Sequence, residues 1–213
     1  RGADRKTFVA LENAYHGDTF GAMAASGESA FTHPFKPLLF NVLRTETNIE
    51  SIEKIFRSHS KEIAAIIVEP ILQAAGGMLI YSPEFLQKVR QLCDEYKILL
   101  IADEVMTGFG RTGKMFACEH AGISPDLICL SKALTNGYLP LGATVATEEI
   151  YQAFYDDDRA KTFFHGHSMT ANPLACAVAC ASLEVFATEN CLEKVALINR
   201  KFRERLPKMT DLE

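Results

Sequence analysis

An α/β fold on a mainly parallel sheet, covered by helices on both faces in three layers, is what this 213-residue sequence predicts. Three observations lead there. The runs IAAIIV (63–68), ILLIA (98–102) and LICL (127–130) are near-continuously apolar, as strands buried on both faces must be. Stretches of helical period lie between or beside them. Each run also ends on ionisable residues: Glu69, then Asp103 with Glu104, then Lys132 after Ser131. In an open parallel sheet the carboxyl ends of the strands line the ligand crevice, so charges there escape the core.

The elements follow in order. Ile49, Ile52, Ile55 and Phe56 share one face and predict a helix over 48–59. The first strand spans 63–68. Ser82 and Pro83 supply a cap and a first helical residue, and Phe85, Leu86, Val89, Leu92, Cys93 and Tyr96 continue at helical spacing. Strands over 98–102 and 127–130 come next, with a further candidate over 142–147. Residues 172–188, rich in Ala and Cys, predict a closely packed helix, and 192–206 a more charged one. Composition shifts near Glu189, where a domain boundary is expected.

Composition narrows the function classes. A net charge of -5 argues against nucleic acid as the main partner. No run is long and apolar enough to span a bilayer, and no signal peptide opens the chain, so a cytoplasmic location is expected. The six cysteines include no C-x-x-C pair and read as buried reduced thiols.

Two readings compete for the carboxylates. GFGRTG (108–113) matches G-x-G-x-x-G literally, which would suggest a dinucleotide site. In that fingerprint, however, the first glycine follows the strand directly and the last opens a helix, whereas DEVMT intervenes here. In the second reading Asp103 faces a protonated ring nitrogen, as a pyridoxal phosphate enzyme requires, and Lys132 holds the cofactor aldehyde. Spacing alone leaves open that Lys132 is a solvated loop residue.

The motifs AYHGDTFGAM (14–23), VEPILQAAGGM (68–78), ADEVMTGFGRTGKMFACEHA (102–121), CLSKALTNG (129–137) and HGHSMTANPLACA (165–177) occur in that order. Together they resemble the class III aminotransferases of the fold-type I pyridoxal phosphate superfamily, over nearly the whole chain. The resemblance implies the large domain of that fold. It makes Lys132 the Schiff-base lysine, Asp103 the partner of the pyridinium nitrogen and Tyr15 the aromatic residue stacked on the ring. His16 and Val105 would adjoin the cofactor. Ser168 would hold its phosphate across a homodimer interface, with Gly166 and His167 lining the substrate channel. Glu69 would stand near the bound substrate and Asp18 near the substrate amines.

Asp18 bears on the substrate. An aspartate suits a donor with an amine and a sulfonium, S-adenosylmethionine, and an acceptor such as 8-amino-7-oxononanoate, whose product is a diamine. The competing reading makes Asp18 a helix-start carboxylate on backbone N–H groups. The H-x-H of His165 and His167 lacks an obvious third ligand, so no metal is expected. Arg111 is expected to pair with a carboxylate or carbonyl, and Glu104 to orient a neighbouring loop.

The resemblance also implies a glycine- and serine-rich phosphate grip ahead of Tyr15 and a small domain with a substrate arginine. Neither lies within these residues. The chain is therefore expected to be most of the cofactor-binding domain over 1–188, with a helix over 189–213 leading toward the small domain. Another class III aminotransferase of omega-amino acid or ornithine type, a class III aminomutase, and a non-catalytic fragment remain alternatives.

Overall fold

The computed structural model describes residues 5–208 of the chain. In order these form β1 (Thr7–Leu11), α1 (Phe20–Ala25), β2 (Val42–Thr45), α2 (Ile49–His59), β3 (Ile63–Val68) and the short pair β4 (Leu72–Gln73) and β5 (Leu79–Ile80). Then come α3 (Pro83–Tyr96), β6 (Leu99–Asp103), β7 (Leu127–Leu130), β8 (Ala143–Ala146), α4 (Glu148–Gln152), α5 (Pro173–Thr188) and α6 (Cys191–Arg205). One sheet runs β2-β1-β3-β6-β7-β8. Its first five strands are parallel and β8 is antiparallel to β7.

The helices that build the core carry their own start signals. Asn48 accepts a hydrogen bond from the Ser51 N–H at the start of α2, and Ser82 accepts one from the Phe85 N–H at the start of α3. Lys97 ends α3 in the left-handed conformation, φ 55°. Ile52 and Phe56 of α2 and Leu86, Val89 and Cys93 of α3 pack against Val9, Leu11, Ile66, Val68, Leu100 and Ala102 of the sheet. All of these are fully buried, which supplies about 1.5–3 kcal/mol for each large apolar side chain.

That packing explains why an apolar strand ends on two carboxylates. Alternation sends Leu100 and Ala102 into the α2–α3 core and Leu99, Ile101 and Asp103 to the opposite face. Asp103 therefore emerges away from the core, at the carboxyl end of β6. Glu104 continues the alternation and turns back, where its oxygens accept hydrogen bonds from the backbone N–H groups of Ala117 (3.0 Å) and Cys118 (2.8 Å). The expected loop-orienting role of Glu104 is what this geometry shows.

Several expectations are corrected. β1 and β2 were not foreseen: TFVAL and VLRT are short and mix polar with apolar residues, so tertiary pairing makes them strands. β6 runs one residue further than expected and includes Asp103. Within this chain α5 buries only Ala175 and Ala179, because it lies beside the turn after β7 and against α6 rather than over the sheet centre. Cys93 and Cys118 are buried, but Cys129, Cys176 and Cys191 are half-buried and Cys180 is exposed; all six are free thiols. Arg111 is exposed and has no polar partner among the described residues. Residues 1–4 and 209–213 of the two expected domain segments lie outside the described residues.

Candidate active site

β1 leads outward to β2, and the chain then returns to β3 on the other side of β1. The direction of winding therefore reverses between β1 and β3, and a crevice opens at their carboxyl ends. The loop after β1, Ala14 to Gly17, lies at these carboxyl ends and is tied to Glu69 after β3 and to Asp103 at the end of β6.

Glu69, directly after β3, does much of the tying. One carboxylate oxygen accepts the Tyr15 N–H at 2.9 Å, and the other accepts the Ala74 N–H at 3.1 Å. Burial pushes this carboxyl above its ordinary range, and the two N–H groups oppose that. Glu69 thus joins the Tyr15 loop to the β4–β5 pair, and both of its oxygens are used on backbone.

His16 crosses from the same loop to β6. Its Nδ1 lies 2.7 Å from Asp103 Oδ2, with side chains 2% and 9% exposed. The other Asp103 oxygen accepts the Val105 N–H at 3.1 Å. The carboxylate is held in place from two sides. His16 Nε2 is buried with no partner among the described residues.

Lys132 follows β7, the neighbour of β6. Asp103 is in register with Cys129, and Lys132 opens the turn just beyond it. Lys132 is exposed and holds φ 43°, the left-handed region that non-glycine residues seldom enter. Such backbone persists where the surroundings impose it, most often at functional sites. Asp103, His16 and Lys132 therefore converge on one end of the sheet.

Tyr15 leaves its ring 42% exposed and donates its hydroxyl to Asp18 at 3.1 Å, which holds the phenol pKa above its ordinary value. The helix-start reading of Asp18 finds no support, because the residue that caps α1 is Thr19 and no side chain caps the helix.

The HGHS segment stands apart. Gly166, His167 and Ser168 are exposed, and no hydrogen bond among the described residues links them to Tyr15, His16, Asp103 or Lys132. The His167 ring accepts the Met169 N–H at Nδ1, and the His167 backbone N–H donates to Thr170 Oγ1. A cleft of about 680 Å³ separates His167 from Ser131 and Leu141 beside Lys132. The glycine-rich loop folds back on itself through Phe109 N to Met115 O (2.7 Å) and Gly110 N to Lys114 O (3.1 Å), and its last glycine opens no helix, unlike the dinucleotide fingerprint.

Two positioning residues escaped the sequence reading. Ser26 Oγ accepts the His16 N–H at 2.9 Å and donates to Ala22 O. Gly76 touches the Asn13 backbone so closely that a Cβ there would lie 2.1 Å from the Asn13 oxygen. The paired glycines of QAAGGM were the available signal for Gly76; a lone buried serine offers none.

This sheet, with a lysine and a fixed carboxylate at adjacent strand ends, is the architecture of a class of nitrogen-group transferases. The class III aminotransferase family profile matches residues 1–213, and the chain belongs to that family. A relative from Geobacter sulfurreducens, adenosylmethionine-8-amino-7-oxononanoate aminotransferase, is 43% identical over 99% of this chain and 51% of its own length. The crystal structure of the enzyme of that name from Methanocaldococcus jannaschii superposes with TM-score 0.93 and 38% identity, over 99% of this chain and 50% of that one. An amine transaminase from an uncultivated Pseudomonas species, solved in its PLP-bound form, gives TM-score 0.90 and 32% identity, over 98% of this chain and 51% of that one. The chain spans about half the length of the curated relatives it matches.

Proposed function

We propose that this chain is the cofactor-binding part of a pyridoxal phosphate-dependent aminotransferase. It moves the amino group of S-adenosylmethionine to 8-amino-7-oxononanoate, giving 7,8-diaminononanoate for biotin synthesis. The observation that carries the reading is the Asp103 carboxylate, turned out of the core, fixed by His16 and set one strand from Lys132. Similarity to relatives named for this reaction supports the choice of substrates.

The residues present fit the cofactor. A buried carboxylate suits a cationic ring nitrogen, an exposed amine suits an aldehyde, and the open face of Tyr15 suits a flat ring. The buried His16 Nε2, with no partner among the described residues, adds a free polar atom beside Asp103. When bound, pyridoxal phosphate supplies the electron sink for charge that develops at the amine-bearing carbon.

Asp103 keeps a proton on the ring nitrogen opposite it, and His16 orients Asp103. Lys132 Nζ anchors the cofactor, then takes the proton from the donor's amine-bearing carbon and returns it one position away. Tyr15 covers one ring face, with Val105 beside the cofactor. Glu69 holds the Tyr15 backbone. Asp18 attracts the positive donor. Ser168, with Gly166 and His167, serves the site of a second copy in a homodimer. We assign residues 1–188 to the cofactor-binding domain and 189–213 to a helix leading toward a further one. The dimer rests on the family resemblance, and the cytoplasmic location on the sequence expectation.

Borohydride reduction with pyridoxal phosphate, followed by peptide mapping, tests the assignment. A phosphopyridoxyl mass confined to Lys132 is expected, together with diamine formation from S-adenosylmethionine by the complete protein. Labelling elsewhere overturns the lysine. Correct labelling with turnover only from an ornithine or omega-amino donor overturns the substrate.

A further inference from the structure

We propose that the cleft beside Tyr15 is the subsite for the nucleoside end of the amino donor, with Phe31 as its stacking residue. The inference rests on the donor named above. The cleft holds about 480 Å³, within the range of small-molecule sites. Tyr15, Asp18, Phe31 and Gly76 are among the residues that line it.

Phe31 is 78% exposed, an unfavourable position for a phenyl ring. Yet its turn is not loose. Ser29 Oγ accepts the N–H groups of Phe31 (3.2 Å) and Thr32 (3.3 Å), and Thr32 Oγ1 accepts the Ser29 N–H (2.9 Å). Thr32 Oγ1 also donates to Gly27 O at 3.4 Å, and Gly27 N bonds Ala14 O at 2.7 Å beside Tyr15. A pinned turn therefore presents an aromatic face to the cleft, and the Tyr15 ring is open as well.

The charges select the ligand end. Among the described residues, no Lys, Arg or His lines the cleft. Its acidic groups are Asp18, exposed with one bond from Tyr15, and Glu28, already paired with Lys36 at 3.0 Å. A carboxylate or phosphate is disfavoured there, which turns away the carboxylate end of 8-amino-7-oxononanoate. A flat group beside a positive charge is favoured, as in a sulfonium nucleoside.

The test uses Phe31→Ala and Phe31→Tyr in the complete holoenzyme. Stacking of one base predicts that Phe31→Ala raises the KM for S-adenosylmethionine about tenfold, changes the KM for 8-amino-7-oxononanoate less than about twofold, and that Phe31→Tyr restores the donor KM. An unchanged donor KM, or equal changes for both substrates, overturns the subsite. Calorimetric titration with 5′-methylthioadenosine separates this from the reaction itself. Binding that Phe31→Ala weakens keeps the subsite even if S-adenosylmethionine proves not to be the donor. Absent binding overturns the subsite even if turnover is normal.

Discussion

His16 Nδ1 meets Asp103 Oδ2 at 2.7 Å, joining the loop after β1 to the end of β6 across the intervening β3. A hydrogen bond to a charged group contributes about 1.5–3 kcal/mol, so His16→Ala in the complete protein is expected to weaken cofactor retention about 10- to 100-fold. Absorbance of retained cofactor after dialysis measures it. Retention equal to wild type would show that Asp103 needs no such partner.

Glu69 yields a pH signature. Its folded pKa is raised, chiefly by burial, so the native state holds a proton that the unfolded chain releases above its ordinary value of 4.5. That contribution is full below 4.5 and fades as pH rises through the raised folded value. Denaturant midpoints of wild type and Glu69→Gln should therefore converge as pH rises above 4.5. The variant should still be about 1–3 kcal/mol less stable near neutrality, because its amide N–H₂ faces a backbone N–H. A gap that widens with pH would contradict the assignment.

Gly76→Ala should cost about 2–4 kcal/mol, since the new Cβ meets backbone that no rotamer change can clear. Thermal melting reports it. The neighbouring Gly77→Ala meets no atom, but Gly77 holds φ 113°, so its smaller cost is one of backbone strain alone.

Asp18→Asn removes the negative acceptor that keeps the Tyr15 phenol protonated. Its titration should move down toward the ordinary tyrosine value, visible as an ultraviolet difference against wild type at alkaline pH. The same variant should raise the KM for a cationic donor about tenfold, as loss of a charged contact of about 1.4 kcal/mol would. A changed phenol titration with an unchanged donor KM would confine Asp18 to holding Tyr15.

Local chemistry was enough for part of this molecule. Ser82–Pro83 announced α3 through a cap that acts within four residues, the shared face of Ile49, Ile52, Ile55 and Phe56 announced α2, and IAAIIV and LICL marked strands buried on both faces. The same runs placed Asp103 and Lys132 at strand ends, and family motifs suggested their roles. β1 and β2 lacked that legibility because their stability comes from pairing with neighbours far along the chain. The uses of Ser26 and Gly76 were equally hidden, since each depends on backbone that only folding brings near.

By itself, then, the sequence determined the fold class, the strand ends that carry charge and the family, because periodicity, caps and motifs are local properties. Only the tertiary structure decided that Asp103 and Glu104 point to opposite faces, that His16 reaches Asp103, that Glu69 spends both oxygens on backbone, and that Asp18 bonds Tyr15 rather than a helix start. Those contacts depend on strand register and the hand of the crossovers, which bring together residues up to 87 positions apart.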